Sequence, residues 1–217
     1  MYAPNTRICV TTTPLDPVAA FSMCNIAQIF YNSTVLDPFC GSCSTLLAAT
    51  HIASIGNHQN NIQTVGIELA HGKYVNFDHI NKDFKSRNLK PPADLIRGDC
   101  MDYSIRQKAR ATIDNQSFDV IVTDPPYGIR ESMDSSNGAP LIQFLDAMII
   151  DQTFGTPLLK HGGRMVVFVP VMEGETLYSK LPDSILLKKA GLKLIDAKEQ
   201  FLSRILSRWM VIFICQQ

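Results

Sequence analysis

An excess of positive charge is missing from this 217-residue chain, in which 20 Lys and Arg are matched by 20 Asp and Glu. No overall field draws in a polyanion, so any nucleic-acid contact has to come from a local patch or from a partner. No apolar run reaches the roughly 18 residues that a membrane span needs, and no membrane association is expected. No secretory h-region precedes the scattered Cys9, Cys24, Cys40, Cys43, Cys100 and Cys215. The expected home is therefore a reducing, cytoplasmic one, without disulfides. Cys40 and Cys43 form a lone C-x-x-C with no second pair or histidine at metal spacing, so no metal site is expected. The absence of G-x-x-x-x-G-K-[ST] disfavours NTP hydrolysis, and Gly41-Ser42-Cys43 lacks the glycines that let a backbone approach a dinucleotide pyrophosphate.

What is present describes a packed chain, 46% hydrophobic and 18% charged. Such a composition leaves no disordered bulk, and the length fits one domain, residues 1–217, with a sizeable core. Asp16 before Pro17 reads as an N-cap with proline in the first turn of a helix running to Ala27. Strands are read at Thr34–Phe39, Thr64–Leu69, Asp94–Asp99, from Phe118 to Asp124, and at Arg164–Val169, Leu192–Phe201 and Trp209–Cys215. Helices are read at Thr45–Ile52, His71–Phe84, Ile105–Ile113, Leu141–Lys160 with an interruption near Gly155 and Pro157, and Asp183–Ala190, which Gly191 closes. Leu202–Arg208 separates the last two strands and suits a hairpin. This order predicts an α/β fold: a doubly wound, Rossmann-like, seven-stranded, mostly parallel sheet with an antiparallel C-terminal hairpin.

In the helix His71–Phe84, Tyr74, Phe77, Ile80 and Phe84 fall at helical spacing and are read as core. Lys82, Lys85, Arg87 and Lys90 form the one basic cluster of note, read as a solvated helix end rather than an RNA contact. Glu131–Pro140 reads as a loop able to act as a substrate-side flap.

Asp37, Glu68, Asp99 and Asp124 each end a strand-like run, 31, 31 and 25 positions apart. Each interval fits one β-loop-α-loop unit, and parallel strands present their carboxyl ends along one edge, where ligands bind at the point of order reversal. The acids are therefore expected in one cleft. After the fourth run the chain continues Pro125-Pro126-Tyr127, a path stiffened by two prolines that carry no N–H. Asp124 and the Pro125 carbonyl can each accept one hydrogen of an NH2 group, and Tyr127 can stack on a planar base. A single strand-end acid means little; four in order, followed by Pro-Pro-Tyr, point to methyl transfer onto an amine.

Asp37-Pro38-Phe39-Cys40-Gly41, then Glu68, Asp99 and Thr123-Asp124-Pro125-Pro126-Tyr127-Gly128-Ile129-Arg130-Glu131, resembles the class I S-adenosyl-L-methionine-dependent methyltransferases. Within them the chain is most similar to the tRNA guanosine-10 N2-methyltransferase family, through the Gly-Ile-Arg-Glu extension and Thr13-Pro14-Leu15-Asp16-Pro17 before the first strand. The resemblance implies that Asp37, Phe39 and Gly41 bind the methionine side of the cofactor, Glu68 its ribose and Asp99, with Cys100 beside it, its adenine. It implies that Asp124, Pro125, Pro126 and Tyr127 hold the target amine of a tRNA guanine. It also implies a small zinc-binding activator subunit and, since the family's N-terminal RNA-binding THUMP domain has no counterpart in these residues, an RNA-recruiting partner. The chain departs from the family at Cys43, where a second glycine is usual. Two other readings share these residues: an adenine N6-methyltransferase acting on DNA or RNA, and a non-catalytic module that binds RNA or a partner. Arg130 either pairs with Glu131 to hold the following loop or meets RNA phosphate.

Overall fold

The computed structural model describes residues 2, 4–9, 14–55, 61–69, 75–127 and 140–216. The Gly-Ile-Arg-Glu extension, Tyr74, Thr13 and most of the expected flap lie outside the described residues.

Polar side chains set several helix starts. Asp16 accepts from the Ala19 N–H at 3.2 Å and Pro17 occupies the first turn of α1 (Pro17–Ile26), where a missing N–H costs nothing. Asn76 caps α3 (Phe77–Lys85) through the His79 N–H, Asp102 caps α4 (Tyr103–Ala111), and Asp183 caps α7 (Ser184–Lys189). The remaining helices are α2 (Ser44–Ser54), α5 (Pro140–Thr153) and the single turn α6 (Leu177–Lys180). The strands are β1 (Thr34–Asp37), β2 (Gln63–Glu68), β3 (Asp94–Arg97), β4 (Phe118–Thr123), β5 (Leu159–Met172), β6 (Leu192–Ser203) and β7 (Leu206–Cys215).

They form one seven-stranded sheet in the order β3-β2-β1-β4-β5-β7-β6. β1 to β5 pair in parallel, whereas β7 runs antiparallel to both β5 and β6. The order reverses between β1 and β4, the switch point of a doubly wound sheet. Alternation sorts strand residues between two cores. Val35, Val120, Val122, Val166 and Phe168 pack with α1, α2 and α3, while Leu36, Ile121, Met165, Val167 and Val211 pack with side chains of α4 and α5. Among the described residues no helix is long and apolar enough to cross a membrane.

The larger boundary differences from the sequence reading each have a local reason. The helix read from His71 is described from Phe77, where an extended Asn76 takes the cap, and its expected residues 71–74 lie outside the described residues. The fifth helix ends at Thr153 rather than near Lys160: Gly155 adopts a φ of 69° and the chain re-enters the sheet at Leu159, paired with Phe118. Gly162-Gly163 is therefore an irregularity inside β5, not the turn before it. Finally, β7 starts at Leu206, so Arg208 lies within the strand instead of in the turn.

One buried ion pair braces the α4 and α5 side. Arg106 donates from Nε and Nη2 to Asp151 at 2.6 and 2.9 Å, and both side chains are fully buried. The same guanidinium donates to the carbonyls of Ala147 and Cys100, and so fixes the turn that carries Asp99 and Cys100. Removing one partner strands a buried charge. Asp151→Ala should lower stability by about 3–5 kcal/mol in urea unfolding, and the double replacement Arg106→Met with Asp151→Leu should recover part of that loss.

Candidate active site

The site is built where parallel strands end. Asp37 and Glu68 are the last residues of β1 and β2, Asp99 stands two residues beyond β3, and Asp124 follows β4 directly. All four share the carboxyl edge of the sheet, either side of the switch point. Hydrogen bonds link the strand-end segments that carry them. The Gly98 N–H donates to the Glu68 carbonyl at 3.1 Å, the Gly41 N–H donates to Glu68 Oε2 at 2.8 Å, and the Thr123 hydroxyl donates to Asp37 Oδ1 at 2.6 Å.

Asp37 is 1% exposed. Its carboxylate also accepts from the Phe39 N–H at 3.0 Å and from the Thr45 hydroxyl, so it joins the loop after β1, the first turn of α2 and the end of β4. Burial pushes its pKa up to about 6, against the pull of the Thr123, Thr45 and Phe39 donors. Asp37 thus sits beneath the loop as its anchor.

The loop itself, Cys40 to Cys43, is a tight turn closed by Cys43 N–H to the Cys40 carbonyl at 2.6 Å. Cys43 takes φ 61° and ψ 36°, the left-handed region that glycine fills most readily, and starts α2. Gly41 also has positive φ, and a Cβ built there would meet nothing within 4 Å: the loop presents open space to one side. At Gly66 of β2 the reverse holds, since a Cβ would lie 2.7 Å from Cys40 Sγ. Phe39 turns toward the ring of Phe144 on α5, 6.0 Å between centroids. Asp99 is exposed, with one oxygen accepting from the Met101 N–H at 2.8 Å. Cys100 is buried, and burial pushes its thiol up to about 12, which leaves it a packing residue. Among the described residues no cluster of His, Cys, Asp and Glu is arranged to hold a metal ion.

On the other half, Tyr127 folds back so that its hydroxyl donates to Asp124 Oδ1 at 2.5 Å. The acceptor expected for an incoming amine is held by the phenol of the same motif. Burial raises the pKa of Asp124, while the Tyr127 hydroxyl and Arg208 lower it.

Two arginines here were not read from the sequence. Arg208 of β7 faces Asp124 and Tyr127. Arg7, whose side chain is 4% exposed, donates to the Ser42 carbonyl at 2.5 Å and to the Ser44 hydroxyl at 3.1 Å, while its Nε pairs with Asp83 of α3. Arg7 therefore clamps the back of the Cys40–Ser44 loop. Its position before any periodic element carries no local signal; Arg208 had one, a cation at the head of an apolar strand.

The family model described as RMKL-like, methyltransferase domain (UPF0020) matches residues 4–153. The tRNA (guanine(10)-N(2))-methyltransferase of Xenopus laevis is 25% identical over 237 residues, which cover 97% of this chain and 46% of that protein. Its counterpart in Bos taurus is 25% identical, with 97% and 48% covered. The chain thus spans about half the length of these relatives. Among solved structures, TrmN from Thermus thermophilus superposes with a TM-score of 0.60 at 21% identity, covering 94% of this chain and 50% of that one. An rRNA methylase from Streptococcus thermophilus gives 0.56 at 10% identity, covering 95% of this chain and 100% of that one. Both speak for the fold.

The pH response of Asp37 follows from its burial. Its folded pKa of about 6 lies above the ordinary 3.8, so folding favours the neutral acid. That stabilisation is complete below the unfolded pKa and is lost as pH rises through the folded one. Relative to Asp37→Asn, the wild-type chain should lose on the order of 3 kcal/mol of unfolding free energy between about pH 4 and pH 7. Denaturant titrations in a pH series read the difference, and parallel curves for the two proteins would refute it.

Proposed function

The chain belongs to the family of RMKL-like methyltransferase domains, and on that footing we propose that it transfers a methyl group from S-adenosyl-L-methionine to an exocyclic amine of a nucleobase, the N2 of guanine in tRNA. The observation that carries this reading is the Thr123 to Asp37 hydrogen bond. It fastens the strand leading into Asp124-Pro125-Pro126-Tyr127 to the carboxylate under the Gly41 loop, so donor and acceptor halves are held in fixed relation.

The residues present fit the donor. Gly41 leaves room beside the loop for the methionine part, with Asp37 and Phe39 setting the loop's path. Glu68 and Asp99, on adjacent strand ends, are acceptors for ribose hydroxyls and for the adenine amine, and Cys100 lies next to Asp99 in the apolar wall. When bound, S-adenosyl-L-methionine supplies a methyl group already activated on a sulfonium. The protein's own contribution is therefore orientation and local electrostatics.

The target base is unstacked and turned into the cleft. Asp124 and the Pro125 carbonyl accept its amine hydrogens and aim the nitrogen lone pair, Pro126 stiffens the path, and the Tyr127 ring lines the base. For the amine to enter, the Tyr127 hydroxyl has to leave Asp124 Oδ1. As the N–C bond forms the S–C bond breaks, a neutral thioether leaves, and the methylated nitrogen gives its extra proton to water. Balanced charge leaves delivery of the tRNA to a recruiting partner; a small zinc-binding activator subunit and a cytoplasmic setting belong to this reading through the family resemblance alone.

Incubating the chain with labelled S-adenosyl-L-methionine and total tRNA, with and without candidate partner subunits, should yield N2-methylguanosine by nucleoside mass spectrometry. N6-methyladenosine as the product would transfer the same site to the adenine reading. Asp124→Ala should cut turnover about a hundredfold or more while calorimetry shows unchanged binding of S-adenosyl-L-methionine. No saturable heat from the wild-type chain would leave a binding module in place of an enzyme.

A further inference from the structure

Arg208 is 7% exposed in β7, and a buried guanidinium is tolerated only with close partners. Its Nε donates to Gln200 Oε1 on β6 at 2.8 Å, and its guanidinium carbon lies 4.1 Å from the centre of the Phe168 ring on β5. These two contacts, from the two strands flanking β7, fix the group's plane and height. What remains faces the acceptor motif. Nη1 lies 3.4 Å from Asp124 Oδ2 and 3.4 Å from the Tyr127 hydroxyl oxygen. Contacts of that length are weak as hydrogen bonds, so the link to Asp124 is chiefly one of charge.

We propose that Arg208 is a positioning residue of the acceptor site, holding the Asp124 carboxylate and the Tyr127 phenol in the arrangement that receives the target amine. This rests on the methyl-transfer reading above. The phenol holds Oδ1 and the guanidinium faces Oδ2, so the carboxylate cannot turn without losing one partner. When an amine takes Oδ1, the phenol oxygen keeps the Arg208 N–H as a donor and the ring stays at the wall of the pocket. Arginine serves where lysine would not: the planar fork stacks on Phe168 and still reaches three acceptors. The charged and titratable groups that face Asp124 among the described residues are Tyr127 from its own loop, Arg208 from β7 and Asp37 from β1. Arg208 is the one cation of the three, so its removal favours protonation of Asp124.

The test uses the full chain as R208M and R208K. In R208M, the Asp124 carboxylate, followed by 13C NMR, should titrate at higher pH than in the wild type. The acid limb of kcat against pH should move the same way, with kcat lowered about tenfold or more and S-adenosyl-L-methionine affinity within twofold. R208K, which keeps the charge but not the fork, should leave the Asp124 titration near wild type and still lower kcat. Should R208M not fold, R208K decides through kcat alone. The NMR readout does not need turnover, so an inactive wild-type chain tells against the methyl-transfer reading while the Asp124 titration still tests Arg208. An unmoved titration in R208M, or wild-type kcat in R208K, overturns the proposal.

Discussion

A carboxylate with almost no contact with water holds the two halves of this sheet in register. Asp37 ends β1 at the switch point, and three donors converge on it from the loop that follows, from α2 and from β4. Burial opposes its charge and the donors favour it, and the balance leaves its pKa at about 6. A bare apolar contact would join the same elements without fixing their angle or register. A carboxylate with three donors does both, since losing any one leaves a buried polar atom unmatched. The placement of Gly41 relative to Asp124 follows from this junction.

The same economy of side chains governs the loop over that junction. Glu68 accepts from the Gly41 N–H while standing at the end of β2, and Arg7 grips the Ser42 carbonyl from behind. The tight approach of Gly66 to Cys40 lets the loop lie close on β2. Cys43 adopts the backbone that a glycine would take there, which costs about 1 kcal/mol for a residue with a Cβ, and its fully buried side chain offsets that through packing.

Local chemistry is what the sequence makes legible. Asp16-Pro17 and Asp183 with Gly191 mark helix ends because a cap acts within a few residues, and apolar runs mark strands whose pairing order then follows from handed crossovers. Placing four acids on one edge needed only those two inferences. Contacts between distant segments leave no such mark. Arg7 meets Ser42 across 35 residues, and Arg208 meets Asp124 across 84. The irregular entry into β5 was hidden because Gly162-Gly163 looks the same as a turn or as a break within a strand. The basic cluster divides for the same reason. Lys82 and Lys85 stand in the last turn of α3, as their spacing indicates, yet Arg87 is engaged by Asp83 and Thr6, and Lys90 donates to the Ile62 carbonyl.

These long-range arginines bear on why the antiparallel end of the sheet is built as it is. A sheet ending at β5 would leave the acceptor motif open on that side. Adding β7 antiparallel brings the start of that strand to the carboxyl edge, beside the end of β5, so Arg208 arrives level with Asp124 from a strand two places away. A parallel strand in the same slot would present its C-terminal residues there, and Arg208 would stand at the opposite edge. β6 then covers β7 and supplies Gln200 to hold the guanidinium. The reversed strand thus has a chemical consequence as well as an architectural one: it brings a fixed cation to the side of the carboxyl edge where the acceptor motif lies.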